Sequence, residues 1–156
     1  LIFYPSLDIL ELQKNLKLES LFLKQNQTPT PMKPDIRNRS DIEKLVNTFY
    51  QKATKDELIG HFFTTSIPIN WEEHLPVMCN FWENALFYTG GYAGNMMNKH
   101  QEVNHKIPIH PEHFQRWTDL FCQSIDELFS GEKAEQARQH ALNMALMLQI
   151  KLGLTK

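Results

Sequence analysis

A chain of 156 residues is long enough for one domain with a proper core and short for two. With 42% hydrophobic and 22% charged residues and a formal net charge of −2, it has the balance of an ordinary globular protein and no basic field to draw nucleic acid or acidic lipid. No apolar run approaches the ~20 residues that span a bilayer. The opening "LIFYPSLDILEL" mixes helical and alternating patterns, lacks a basic leading segment and carries Asp8 and Glu11, so it makes a poor secretory signal. "QNQTPTPMKPD" follows, with Pro29, Pro31 and Pro34 in a polar tract, and reads as an extended linker. Residues 1–37 are expected to form an N-terminal extension and Pro-rich linker, non-native or disordered, with Met32 as the natural first residue. Cys79 and Cys122 are the only cysteines and neither sits in a CxxC pair, which fits a reducing cytoplasm better than a disulfide scaffold.

From Ser40 onward the pattern is helical and no convincing strand occurs, so the class is all-α. "SDIE" predicts a capping box with Ser40 as cap and Glu43 three residues on. Ile42, Leu45, Val46, Phe49 and Tyr50 form the stripe of that helix. Asn70 with Glu73 repeats the capping logic. The helix it opens carries Trp71, Leu75, Met78, Phe81, Trp82 and Ala85 on one face, with Pro76 near its start where a bend is expected. "YTGGYAG" breaks it, and a short helix around "NMMNKH" comes next. Pro111 begins a helix with Phe114, Trp117, Phe121, Ile125 and Leu128 as its stripe, which Gly131 is expected to stop from the C′ position. The last helix runs from about Glu132 to Leu152, with Ala137, Ala141, Met144 and Leu148 inward.

Four of these apolar faces carry a large residue with a polar tip: Tyr50, His74, His100 and Trp117. A buried hydroxyl, imidazole or indole N–H costs free energy unless it finds a partner. Four such groups on four helices would all be satisfied by converging on one polar object. Taken singly, each reads more simply as an ordinary core residue. The stretch "NKHQEVNHKIPIHPEHFQRW" holds four histidines, His100, His105, His110 and His113. A zinc site built from them competes with the shared-ligand reading, but their spacing is not a recurrent structural zinc pattern and no cysteine pair supports it.

The blocks "FYQKATKDELIGHFF", "WEEHLPVMCNFW", "GGYAG" leading into "KH", and "HPEHFQRWTDLF" resemble the third group of truncated haemoglobins over about residues 38–152. The sequence departs modestly, reading "NMM" before the key histidine where relatives often have a proline. The resemblance implies a two-over-two helical sandwich around one b-type haem, with residues 38–156 as the truncated globin domain. It implies His100 as the proximal iron ligand. Tyr50, His74 and Trp117 then fall on the ligand-binding side, and Phe49, Phe81 and Trp82 pack the pocket and haem. His105, His110 and His113, with His61 and His140, are left as solvated polar residues. Lys99 and Tyr92 are candidates to hold the haem propionates. The implied ligands are O2, NO, CO or peroxide. Hydrogen bonds from Tyr50 and Trp117, with His74 as third donor or gate, favour holding O2 over transporting it. The alternative is a redox enzyme, an NO dioxygenase or peroxidase-like, supplied with electrons by an external reductase because no G-x-G-x-x-G module follows a strand.

Overall fold

The structure is a computed structural model that describes residues 13–19 and 33–155. The chain divides into two compact units, Leu1–Met32 and Lys33–Lys156. In the first, residues 13–19 are helical (α1) and exposed. The expectations for the opening segment, for Pro29 and Pro31 and for Met32 lie outside the described residues.

The second unit holds six helices, α2 (Arg39–Ala53), α3 (Gly60–Thr64), α4 (Trp71–Phe87), α5 (Met96–Lys106), α6 (Pro111–Leu128) and α7 (Glu132–Lys151). No strand occurs among the described residues. α2 packs on α4 and α6 on α7, and the two pairs meet through α2 against α6 and α4 against α7. The arrangement is all-α, one pair of helices laid over another. The stripe Ile42, Leu45, Val46, Phe49 of α2 is buried as its 3.6-residue period requires. α7 turns Ala134, Ala137, Ala141 and Ala145 inward, and these small side chains let its backbone lie close to its neighbours.

Three boundaries differ from those the sequence suggests. α2 begins two residues earlier, with Asn38 rather than Ser40 as its cap, because the Asn38 side chain accepts from the Asp41 amide at 3.2 Å. Gly131 does not end α6. That helix stops at Leu128, Phe129 takes an extended conformation and is buried, and Gly131 stands at the start of α7 with φ 142°. A Cβ on Gly131 would lie 2.5 Å from the Asp35 carboxyl, so only glycine fits. Asp35 is the reason: its two carboxylate oxygens accept from the Lys133 amide (2.9 Å) and the Ala134 amide (2.8 Å), 98 and 99 residues later, and so cap the start of α7. Residues 33–37, expected in the linker, thus belong to the helical unit. Ile36 is 1% exposed, and the Ser130 amide donates to the Pro34 carbonyl at 3.0 Å.

α4 opens as expected on Asn70, whose side chain accepts from the Glu72 amide at 3.2 Å, and it runs on through Pro76. It ends before the glycines: Tyr88 takes the left-handed cap conformation (φ 57°) with its side chain 82% exposed. Lys133 reaches back to cap that end, donating from Nζ to the Leu86 carbonyl at 2.8 Å.

Candidate functional site

Between these helices lies a cavity of about 700 Å³, within the range of ligand pockets generally. All seven residues expected to form a site line it: Phe49 and Tyr50 from α2, His74, Phe81 and Trp82 from α4, His100 from α5 and Trp117 from α6. Most of the wall is aromatic and aliphatic, so its few polar atoms stand out.

His100 is the first. It lies one helical turn after Met96, and its Nδ1 is 2.9 Å from the Met96 carbonyl oxygen. A carbonyl only accepts, so Nδ1 carries the hydrogen and Nε2 carries the lone pair. Burial holds the imidazole below its usual pKa, with the Met96 carbonyl working the other way, and keeps the ring neutral. The Phe114 ring lies alongside at 6.4 Å between centroids. A neutral imidazole, with one nitrogen anchored and the other bare, has the form of a metal ligand steered by its outer hydrogen bond.

The second polar group is a pair. Tyr50 Oη and His74 Nε2 are 2.7 Å apart. Burial raises the Tyr50 phenol well above the ordinary tyrosine range, so it remains a phenol, and burial lowers His74 and keeps it neutral. Trp117 is the third. No acceptor among the described residues takes its indole N–H, and the ring lines the cavity. Its orientation is set by Phe121, which is sandwiched between Trp117 (5.3 Å, 5°) and Trp82 (4.4 Å, 17°). One phenyl on α6 therefore fixes two indoles on two helices.

Several neighbours escape a reading by periodicity alone. Phe63 and Trp71 both stand edge-on to the Tyr50 ring, at 5.6 and 5.1 Å. Trp71 is visible in the α4 stripe, but its contact with α2 is not. Phe114 sits in the α6 stripe three residues before Trp117, and that spacing is the signal that could have placed it beside the cavity. His113, expected to be solvated, is half-buried: its Nδ1 accepts from the His110 amide at 3.0 Å, its ring lies 5.0 Å from Phe62, and it lines the cavity. His61 is likewise half-buried against Phe62, whereas His105, His110 and His140 are exposed. Among the described residues no three His, Cys, Asp or Glu side chains converge as a metal set, so the four-histidine stretch does not close on a zinc ion. Lys99 and Tyr92 both line the cavity; Lys99 also pairs with Glu102 at 3.4 Å.

The residues present fit a flat, apolar, iron-bearing cofactor: an aromatic slot, one bare imidazole nitrogen, and a separate group of hydrogen-bond donors. No family model matches the chain. It is 31% identical over 121 residues to the group 3 truncated hemoglobin ctb of Campylobacter jejuni, spanning 76% of this chain and 93% of that protein. Among solved structures, a group III truncated hemoglobin from Campylobacter jejuni superposes with a TM-score of 0.68 at 30% identity, covering 80% of this chain and 97% of that one.

Proposed function

The chain belongs to the truncated haemoglobins, in their third group, and from that premise we propose that it is a haem b protein binding O2 and other diatomic ligands in this cavity. The observation that carries the reading is the polar set of one aromatic pocket: a bare imidazole nitrogen from α5, a phenol from α2, an imidazole from α4 and an indole from α6. His100 would hold the iron through Nε2, with Phe49, Phe81 and Trp82 packing the pocket and Lys99 and Tyr92 near the propionates. When bound, the haem supplies an iron with one open position for a small ligand.

What the chain's own residues contribute follows from counting hydrogens. Neutral Tyr50 has one O–H and neutral His74 has one N–H. If His74 carries its hydrogen on Nε2, it donates to the Tyr50 oxygen and leaves the phenol hydrogen free for the cavity. If the hydrogen is on Nδ1, Tyr50 donates into His74 and the phenol hydrogen is no longer free for the cavity. The Trp117 N–H is available in both cases. With a charge-assisted bond worth ~1.5–3 kcal/mol, two such donors would slow release of O2 by ~10²–10⁴-fold relative to a pocket without them. CO, which accepts hydrogen bonds poorly, would gain much less. The pocket is suited to retention.

The Tyr50–His74 hydrogen bond favours a second use of the same pair: moving protons during redox turnover of NO or peroxide, with an external reductase supplying electrons. Rapid mixing of the O2-loaded protein with NO separates the two readings; fast nitrate formation supports turnover and a slow reaction supports binding. The haem assignment is tested by the absorption spectrum of the purified protein before and after dithionite. His100→Ala should lose the Soret band on gel filtration. A folded wild-type chain that refuses supplied haem would falsify the proposal.

A further inference from the structure

Trp71 is the first residue of α4, placed there by the Asn70 cap, and it lies three residues before His74 on the same face. Its indole stands edge-on to two rings, Tyr50 at 5.1 Å (72°) and His74 at 5.7 Å (88°). Tyr50 and His74 stand edge-on to each other at 5.3 Å (72°). The three rings close a triangle with one hydrogen bond along one side, so each ring is located by two others. Asn70, Glu73, His74 and Val77 line the cavity and Trp71 does not. The indole is therefore behind the pair. A helical side chain leans over the turn N-terminal to its own Cα, which for His74 is the turn that carries Trp71.

We propose that Trp71 is a positioning residue that backs the Tyr50–His74 pair from the side away from the cavity and so sets how often His74 leaves Tyr50. This rests on the haem reading only where ligand rates are concerned; the ring triangle stands without it. Of the indole's two edge contacts, the one to His74 is lost when the pair parts, and it changes the balance between the paired and parted states by roughly 2–12-fold. Losing that contact in Trp71→Leu should raise the parted population up to about tenfold, opening the cavity more often and freeing the His74 imidazole into water.

Two measurements on the full-length protein test this, with circular dichroism reporting the fold and Trp71→Met read beside Trp71→Leu as a second ringless variant. The first is the NMR titration of the His74 imidazole, which does not depend on haem. Trp71→Leu should move its midpoint up toward about 6.5, and Trp71→Phe, which keeps a ring, should stay near wild type. The second is CO association after flash photolysis. It should rise by up to about tenfold in Trp71→Leu and gain nothing when that change is added to His74→Leu. An unmoved midpoint in folded ringless variants, or a rate effect that persists without His74, overturns the proposal. A chain that binds no haem yet shows the titration shift keeps the brace and removes the haem reading; a haem-loaded chain without the shift removes the brace.

Discussion

The Tyr50 hydroxyl has a single hydrogen and, 2.7 Å away, a neutral imidazole that competes for it. Tyr50→Phe removes the phenol donor and leaves the ring contacts with Phe49, Phe63 and Trp71 in place. O2 dissociation should rise about tenfold while CO dissociation barely moves. Stopped-flow replacement of each ligand checks this, and equal changes for both would remove Tyr50 as a donor. At this scale polar tips on apolar stripes drew attention to Tyr50, His74, His100 and Trp117, and the resemblance to truncated haemoglobins joined them into one site. Trp71 did not stand out, because a tryptophan on a stripe looks like core, and its second contact lies on a helix 21 residues earlier in the chain. His113 failed for a different reason. Its neighbour Arg116 made that face look wet, yet Phe62, brought from α3, covers the imidazole.

Helix ends were harder to read than helix faces. "NRS" before α2 offers two good caps, and the choice of Asn38 over Ser40 is decided by one 3.2 Å bond to the Asp41 amide. Gly131 serves a helix start although glycine more often marks a stop, because the carboxylate it must clear comes from Asp35, 96 positions away. No local rule reveals a cap from that distance. Asp35→Ala should cost about 1–2 kcal/mol in urea unfolding; an unchanged midpoint would show that water replaces the cap. Tyr88 offers the opposite test. It holds a left-handed conformation unfavourable to an L-side chain while exposing its ring to solvent. Tyr88→Gly should stabilise the protein by roughly 1 kcal/mol, read as a higher thermal midpoint, and a lower midpoint would mean that the exposed ring matters.

At the scale of the helical unit, the cavity is lined from both helix pairs, which meet along α2–α6 and α4–α7. A ligand that fills it binds the folded chain and not the unfolded one, so haem removal should lower the thermal midpoint, and re-addition should restore it in proportion to haem supplied. Acid acts on other joints. Burial alone would raise Asp35, but the Lys133, Ala134 and Ile36 amides and the Lys133 charge outweigh it and lower its pKa. Burial would likewise raise Asp56, but Arg116 and the Ile59 and Leu58 amides hold it down. Carboxylates with depressed folded pKa values stabilise above their unfolded value near 3.9. That contribution is lost as pH falls through the lower folded values. Unfolding free energy should therefore drop steeply below about pH 4, and less steeply in Asp35→Ala. The cap that joins Asp35 to the start of α7 also has a place in time. Its two hydrogen bonds close a loop of nearly the entire unit, 98 and 99 residues in sequence separation, a closure that chain entropy delays until nearer helices have docked. Breaking it should leave the refolding rate almost untouched and make the native state fall apart faster, so this single carboxylate serves as a latch on lifetime.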